Sequence, residues 1–250
     1  MQLNGDRVAI VTGAGAGIGE AVAQRLAFEG AAVVAADVDE AAADACVKGI
    51  VGHGGRAIAC GADVTERRDV ERMVARTADV FGRLDVLVNN AGGVEGEVFP
   101  WSRPDVWEPT IDLNLRAPML TIHAALRLLI EAGGVVVNIA SMAGLGSRAH
   151  DAPEYAAAKG GVIRLTTALG ALRDRGVRVN CICPDWVDTP ASRRTRAAMT
   201  TTELAGVPDP MLRGDDVADA VVQLVRDDAV AGGVMVLPCG APARLLAADR

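Results

Sequence analysis

The chain has 250 residues, half of them hydrophobic and 23% charged, which is enough apolar material for one large domain or two small ones and excludes intrinsic disorder. Its net charge of −7 leaves no global positive field for a phosphate backbone, so nucleic acid is not expected as a main partner. Cys46, Cys60, Cys181, Cys183 and Cys239 lack paired C-x-x-C spacing, and His53, His123 and His150 are isolated; no metal site is expected, and the thiols read as small buried hydrophobes in a reducing cytosol.

The first seven residues hold no basic segment followed by a long apolar run, so no secretion signal is expected. Short apolar runs then alternate with longer amphipathic ones. Strands are predicted at Val8–Val11, Ala32–Ala36, Ala57–Cys60, Val86–Val88, Val135–Ile139, Val177–Cys183 and Val234–Leu237. They are apolar almost continuously, the pattern of strands buried on both faces. Helices are predicted at Ile18–Glu29, Glu40–Val51, Glu66–Phe81, Arg103–Glu131, Pro153–Leu172 and Asp215–Arg226. The longest apolar stretch among them, Ala117–Ile130, is too short for a bilayer core of about 30 Å, and a cytoplasmic protein is expected. The βαβαβ rhythm predicts an α/β fold with a parallel sheet and helices on both faces. No linker or repeat divides residues 1–250, so a single domain is expected, with residues 188–212 after the sixth strand forming a substrate-covering lid.

Several short segments carry chemistry. The first strand runs into Thr12-Gly13-Ala14-Gly15-Ala16-Gly17-Ile18-Gly19, a turn in which glycines let backbone N–H groups approach a pyrophosphate at a helix N-terminus. Asp37 ends the second strand, where a carboxylate can accept both ribose hydroxyls of an adenosine and would repel a 2′-phosphate, favouring NAD over NADP; the alternative is that it only caps the next turn. Asp63 ends the third strand and Asn89-Asn90-Ala91-Gly92-Gly93 the fourth, and both also read as chain reversals. Finally, the only tyrosine, Tyr155, stands four residues before Lys159, one of just two lysines; a helix puts both on one face, and an adjacent ammonium favours the phenolate. Ser141 ends the fifth strand and can reach the same substrate oxygen, and Asn114 lies between strands four and five.

Taken in order, Thr12-Gly13-x-x-x-Gly17-x-Gly19, Asp63-Val64, Asn89-Asn90-Ala91-Gly92, Asn114, Ser141, Tyr155-x-x-x-Lys159 and Pro184 with Thr189 make the chain resemble the classical short-chain dehydrogenases/reductases from about Leu3 to Leu237. That resemblance implies a three-layer Rossmann fold on a seven-stranded parallel sheet, a nicotinamide cofactor, and an Asn114-Ser141-Tyr155-Lys159 tetrad. Tyr155 would exchange a proton with the alcohol or carbonyl oxygen, which Ser141 orients. Lys159 would lower the Tyr155 pKa and hold the nicotinamide ribose, and Asn114 would position a relay water. The cofactor would be touched by Gly13, Ala16, Gly17, Ile18, Gly19, Asp37, Val38, Asp63, Val64, Asn90, Ala91, Gly92, Pro184, Val187 and Thr189, besides Tyr155 and Lys159.

The chain departs from the family at several points. Asp185 replaces the usual glycine after Pro184 and is expected to face solvent or to alter the pocket; Trp186 could wall the pocket or pack under the lid; His150 could touch substrate or solvent. Cys239-Gly240-Ala241 replaces the common C-terminal turn, yet the small residues Ala156, Ala157, Gly160 and Gly161 suit a homotetramer, with a dimer second. The runs Arg67-Arg68 and Arg193-Arg194-x-Arg196 read as solvated surface. The expected function is an NAD-dependent interconversion of a secondary alcohol and a ketone, with a 3-oxoacyl thioester reductase or a catalytically silent regulator as alternatives. Substrate contacts are expected from Gly93–Trp101, Leu145–Ala152 and Asp188–Leu212, where Trp101, Trp186, Leu204, Val207 and Met211 hint at a sizeable, partly apolar substrate.

Overall fold

Runs made mostly of small and β-branched residues set the centre of the sheet in the computed structural model, which describes residues 1–3, 5–94, 96–146 and 149–246. Strands β1 (Val8–Thr12), β4 (Val86–Asn89), β5 (Val135–Ile139) and β6 (Arg178–Pro184) are buried along their whole length. With β2 (Ala32–Asp37), β3 (Arg56–Gly61) and β7 (Val234–Leu237) they pair in parallel in the order β3-β2-β1-β4-β5-β6-β7. The order reverses between β1 and β4, which opens a crevice at the carboxyl ends of those strands.

The period of two along each strand sorts the core into layers. Ala9 and Val11 of β1, with Val86 and Val88 of β4, pack on helices α1 (Gly17–Phe28) and α9 (Gly214–Arg226). Ile10 and Leu87 point the other way, onto α3 (Arg67–Phe81) and α5 (Ala117–Ala132). A smaller cluster on that second face joins Cys181 and Cys183 of β6 to Val162 of α6 (Pro153–Ala168). Helix α2 (Glu40–Gly52) completes the first layer through Cys46 and Ile50. No helix among the described residues is long and apolar enough to cross a membrane.

The structure corrects three expectations. The sheet has eight strands, not seven: Arg244–Leu246 (β8) returns antiparallel along β7, with Val234 opposite Leu246, after the chain reverses at Gly240 (φ +69°). Its three residues are exposed and too few to show a period. The single helix expected over Arg103–Glu131 is α4 (Pro104–Ile111), one π-helical stretch at Asp112–Arg116, and α5. Pro118 has no N–H to give the Asn114 carbonyl, so regular α-helical bonding cannot run through that position. Residues 188–212, where no helix was predicted, contain α7 (Pro190–Ala197) and α8 (Thr201–Leu204), each begun by a capping box. Among the expected substrate contacts, Glu95, Ser147 and Arg148 lie outside the described residues, as do the last four residues of the chain.

Candidate active site

The glycine turn after β1 is held open by its own crowding. A Cβ on Gly19 would lie 2.0 Å from the Gly13 carbonyl oxygen, so no side chain fits there; Gly13 and Gly17 have φ of +64° and +61°. Ala16, at the N-cap of α1, has no side chain to accept the helix's first N–H groups, which stay available together with the partial positive charge of the helix end. Ile18 is half-buried behind them. The Asp37 carboxylate accepts from Gly15 N at 2.8 Å and from Asp39 N at 3.0 Å. It therefore organises the turn, as the capping alternative required, while each oxygen keeps a further lone pair. Val38 beside it is exposed.

Asn90 straps this turn to β4. Its Nδ2 donates to the carbonyls of Thr12 at 2.9 Å and Gly13 at 3.1 Å, while the backbone N–H groups of Asn90 and Ala91 donate to Thr12 Oγ1 at 3.0 and 3.1 Å. The Nδ2 of this side chain thus positions the turn, and Ala91 and exposed Gly92 lie at the rim. Asp63 closes its own reversal, accepting from the Thr65 hydroxyl and N–H, and Val64 is buried beneath it.

Asn114, Tyr155 and Lys159 converge on the other side of Gly92. A Cβ on Gly92 would stand 2.7 Å from Asn114 Oδ1 and 3.1 Å from Lys159 Nζ. Asn114, fully buried in the π turn, donates to the Thr110 and Gly93 carbonyls and accepts from Gly93 N. Lys159 is buried, donates to the Ile139 carbonyl at 2.9 Å, and lies 5.5 Å from the centre of the Tyr155 ring. Ser141 follows β5, and its Oγ accepts from Ala143 N, capping a short 3₁₀ turn over Met142–Gly144. That turn rests directly on α6, because a Cβ on Gly144 would be 2.5 Å from both Lys159 C and Gly160 N.

Burial controls the charges here. It pushes the Tyr155 phenol above its ordinary value, with the Ser141 hydroxyl pulling the other way, and pushes the Lys159 ammonium down to about 8. Lys159 was expected to lower the Tyr155 pKa; in this structure burial sets the direction at Tyr155, only the Ser141 hydroxyl opposes it, and burial also weakens the lysine's own charge. Chemically, a phenol and a hydroxyl beside a poised amine can pass a proton to or from one oxygen atom.

Several parts of this arrangement have no sequence motif. A buried ladder runs from Thr121 Oγ1 to Asn89 Oδ1 (2.6 Å), from Asn89 Nδ2 to Asn138 Oδ1 (2.8 Å) and from Asn138 Nδ2 to Thr166 Oγ1 (2.9 Å), tying α5, β4, β5 and α6 together. A polar residue inside the apolar run Val135–Ile139 is the one signal that could have pointed to it. Glu154, next to Tyr155, is buried and accepts from Phe99 N at 3.3 Å. His150 is exposed, but its ring lies 5.8 Å from that of Tyr155, so it faces both solvent and the site. Trp101 is 86% exposed and walls nothing among the described residues.

Beyond β6, Asp185 is tied down by two backbone N–H groups. Half-buried, it accepts from Trp186 N at 2.9 Å and from Cys239 N at 3.3 Å, tying β6 to the turn after β7. Pro184 and Val187 are buried, Trp186 is half-buried, and Val187 pairs with Leu212 so that residues 188–211 are anchored at both ends. Thr189 caps α7 and touches Gly17: a Cβ there would be 3.2 Å from Thr189 Cβ. Four of the cysteines are buried and Cys239 is half-buried, donating to the Trp186 carbonyl.

The family model described as short chain dehydrogenase matches residues 7–200. Cis-4-hydroxycyclohexanecarboxylate dehydrogenase of Sinomonas cyclohexanicum is 39% identical over 242 residues, covering 94% of this chain and 96% of the relative. A 3-oxoacyl-[acyl-carrier-protein] reductase of Synechocystis sp. is 39% identical over 194 residues, 76% of this chain and 78% of the relative. A solved short-chain dehydrogenase/reductase structure from Burkholderia xenovorans superposes with a TM-score of 0.86 at 35% identity, covering 94% of this chain and 96% of that one. Glycine turn, strand-end serine, Tyr-Lys helix and these likenesses over nearly the whole length agree: the chain belongs to the short-chain dehydrogenase/reductase family of oxidoreductases.

Proposed function

We propose that this chain uses NAD to interconvert a secondary alcohol and a ketone through Asn114, Ser141, Tyr155 and Lys159. The observation that carries the reading is the convergence of Asn114 Oδ1 and Lys159 Nζ on Gly92, with Tyr155 on the same helix and Ser141 pinned to it by the Gly144 turn. In oxidation Tyr155 takes the proton of the substrate hydroxyl, Ser141 holds that oxygen by a hydrogen bond, and the carbon's hydride leaves as the carbonyl forms. When bound, the nicotinamide supplies the hydride acceptor. Lys159 holds positive charge near the phenol, and Asn114 keeps the Gly92–Gly93 backbone in place beside it.

A dinucleotide fits the residues present. The tight turn that Gly19 permits, the uncapped first turn of α1 and the rim at Ala91 and Gly92 suit a pyrophosphate, with Asp37 at the adenosine ribose. Asp37 supports NAD over NADP because a 2′-phosphate would face a carboxylate, with an exposed valine beside it instead of a base. Residues 1–250 act as one domain in this reading, and residues 188–212 cover the substrate. The small-residue faces of α5 and α6, with exposed Met119 and Ile130, support a homotetramer of a cytoplasmic enzyme; a light-scattering mass of one or two chains would remove it.

Turnover of a panel of secondary alcohols, including cyclohexanol and 4-hydroxycyclohexanecarboxylate, followed at the NADH absorbance band, tests the function. NAD is expected to give the higher kcat/KM for any substrate accepted. A preference for NADP would overturn the Asp37 reading, and no turnover across the panel would count against an alcohol substrate.

A further inference from the structure

The arginine run Arg193-Arg194-x-Arg196 on α7 does not stay together in the fold. Arg193 is exposed and forks onto Asp188, with contacts of 2.7 and 2.8 Å, and Arg194 is exposed. Arg196 is different. It is half-buried, its Nε is closed to water without a hydrogen-bond partner, and its Nη1 meets the thioether sulfur of Met211 at 3.9 Å. Among the described residues no carboxylate lies within ion-pair distance of it: Asp188, which feels its charge, is forked by Arg193, and Glu203 turns back to cap α8 at Thr200. A guanidinium N–H cut off from water costs stability unless something accepts from it. The planar fork matches a carboxylate, and the apolar surroundings supplied by Met211 strengthen such a pair.

We propose that Arg196 receives a carboxylate carried by the substrate, remote from the carbon that is oxidised. The proposal rests on the reading of residues 188–212 as the substrate cover. Position along α7 separates this anion from the cofactor's phosphates: Thr189, at the start of the helix, is the part that touches Gly17 of the glycine turn. Arg196 stands seven residues farther on, about 10 Å along the axis at ~1.5 Å per residue. The substrate class is therefore a hydroxy acid or oxo acid whose carboxylate is separated from the reacting carbon by an apolar spacer, with Met211 beside the anion.

Calorimetric titration of the NAD-saturated protein with 4-hydroxycyclohexanecarboxylate, with its methyl ester and with cyclohexanol tests this without needing turnover. The acid is expected to bind about tenfold or more tightly than the ester, and Arg196→Gln to erase that preference while leaving NAD affinity unchanged and the melting temperature no lower. Arg196→Lys, which keeps charge without the fork, should recover part of the preference and serves if the glutamine variant folds poorly. Arg194→Gln should change nothing. Equal binding or no binding of acid and ester by the wild type overturns the proposal, as does a preference that survives in Arg196→Gln. A variant that loses NAD affinity and keeps the acid preference assigns the arginine to the cofactor and also overturns it. An acid preference abolished by Arg196→Gln in a protein that turns over no alcohol supports the anion site and removes the redox reading instead.

Discussion

Tyr155→Phe is expected to lower kcat by about 10²- to 10⁴-fold, the range in which a positioned acid/base group contributes to catalysis. The ring and its packing against Lys159 survive this change, and only the phenolic oxygen is lost. NAD affinity, read by fluorescence titration, and the melting temperature should therefore stay near those of the parent. That split separates proton transfer from structure. A variant with parental kcat would leave Ser141 and Lys159 to share the chemistry and would remove Tyr155 from its centre.

The second large effect is expected at a residue that carries no reactive group. Gly144→Ala places a methyl group 2.5 Å from Lys159 C and Gly160 N, backbone atoms that cannot swing aside. Relief requires the Ser141 turn to lift off α6, at a cost of about 1–3 kcal/mol. The same shift moves the Ser141 hydroxyl away from Tyr155, and a displacement of about 1 Å at a reacting centre can cost a hundredfold in rate. A lowered melting temperature together with a loss of kcat near that size is the expected result, measured beside Gly52→Ala, whose Cβ would meet nothing within 4 Å. If Gly144→Ala matched that control in stability and rate, the turn would not be what sets serine against tyrosine.

What could be read from the chain follows from how local each cause is. Strands β1, β4, β5 and β6 were legible because burial on both faces demands apolar residues at nearly every position. The glycine turn and the Tyr155–Lys159 spacing were legible for a similar reason: each is a short-range constraint written in consecutive residues. Asn90 shows the limit of that kind of reading, since its place after β4 was evident while its bonds to the Thr12 and Gly13 carbonyls, 78 and 77 positions away, depend on two strands becoming neighbours. Asp185 was ambiguous for the same cause, its partner Cys239 lying beyond the next strand. Arg193, Arg194 and Arg196 look alike in sequence, and only the faces of α7 distinguish the one that is shielded from water. The π turn around Asn114 has a sequence cause in Pro118, but a proline near the middle of a long helical pattern signals a break without saying that an asparagine will be turned inward there.

Burial of the Tyr155–Lys159 pair poses the sharpest question about the proposed chemistry, because it raises the phenol and lowers the amine, the opposite of an activated tyrosine. Bound NAD⁺ would add positive charge to that of Lys159 and so favour the phenolate. Tyr155 is the only tyrosine in the chain, so an ultraviolet titration of phenolate absorbance reports on it alone, with three tryptophans as background. Without cofactor the midpoint should lie above the reference value of about 10, and with saturating NAD⁺ it should fall below that value. A midpoint that stays at or above about 10 with NAD⁺ bound would contradict Tyr155 as the acid/base centre.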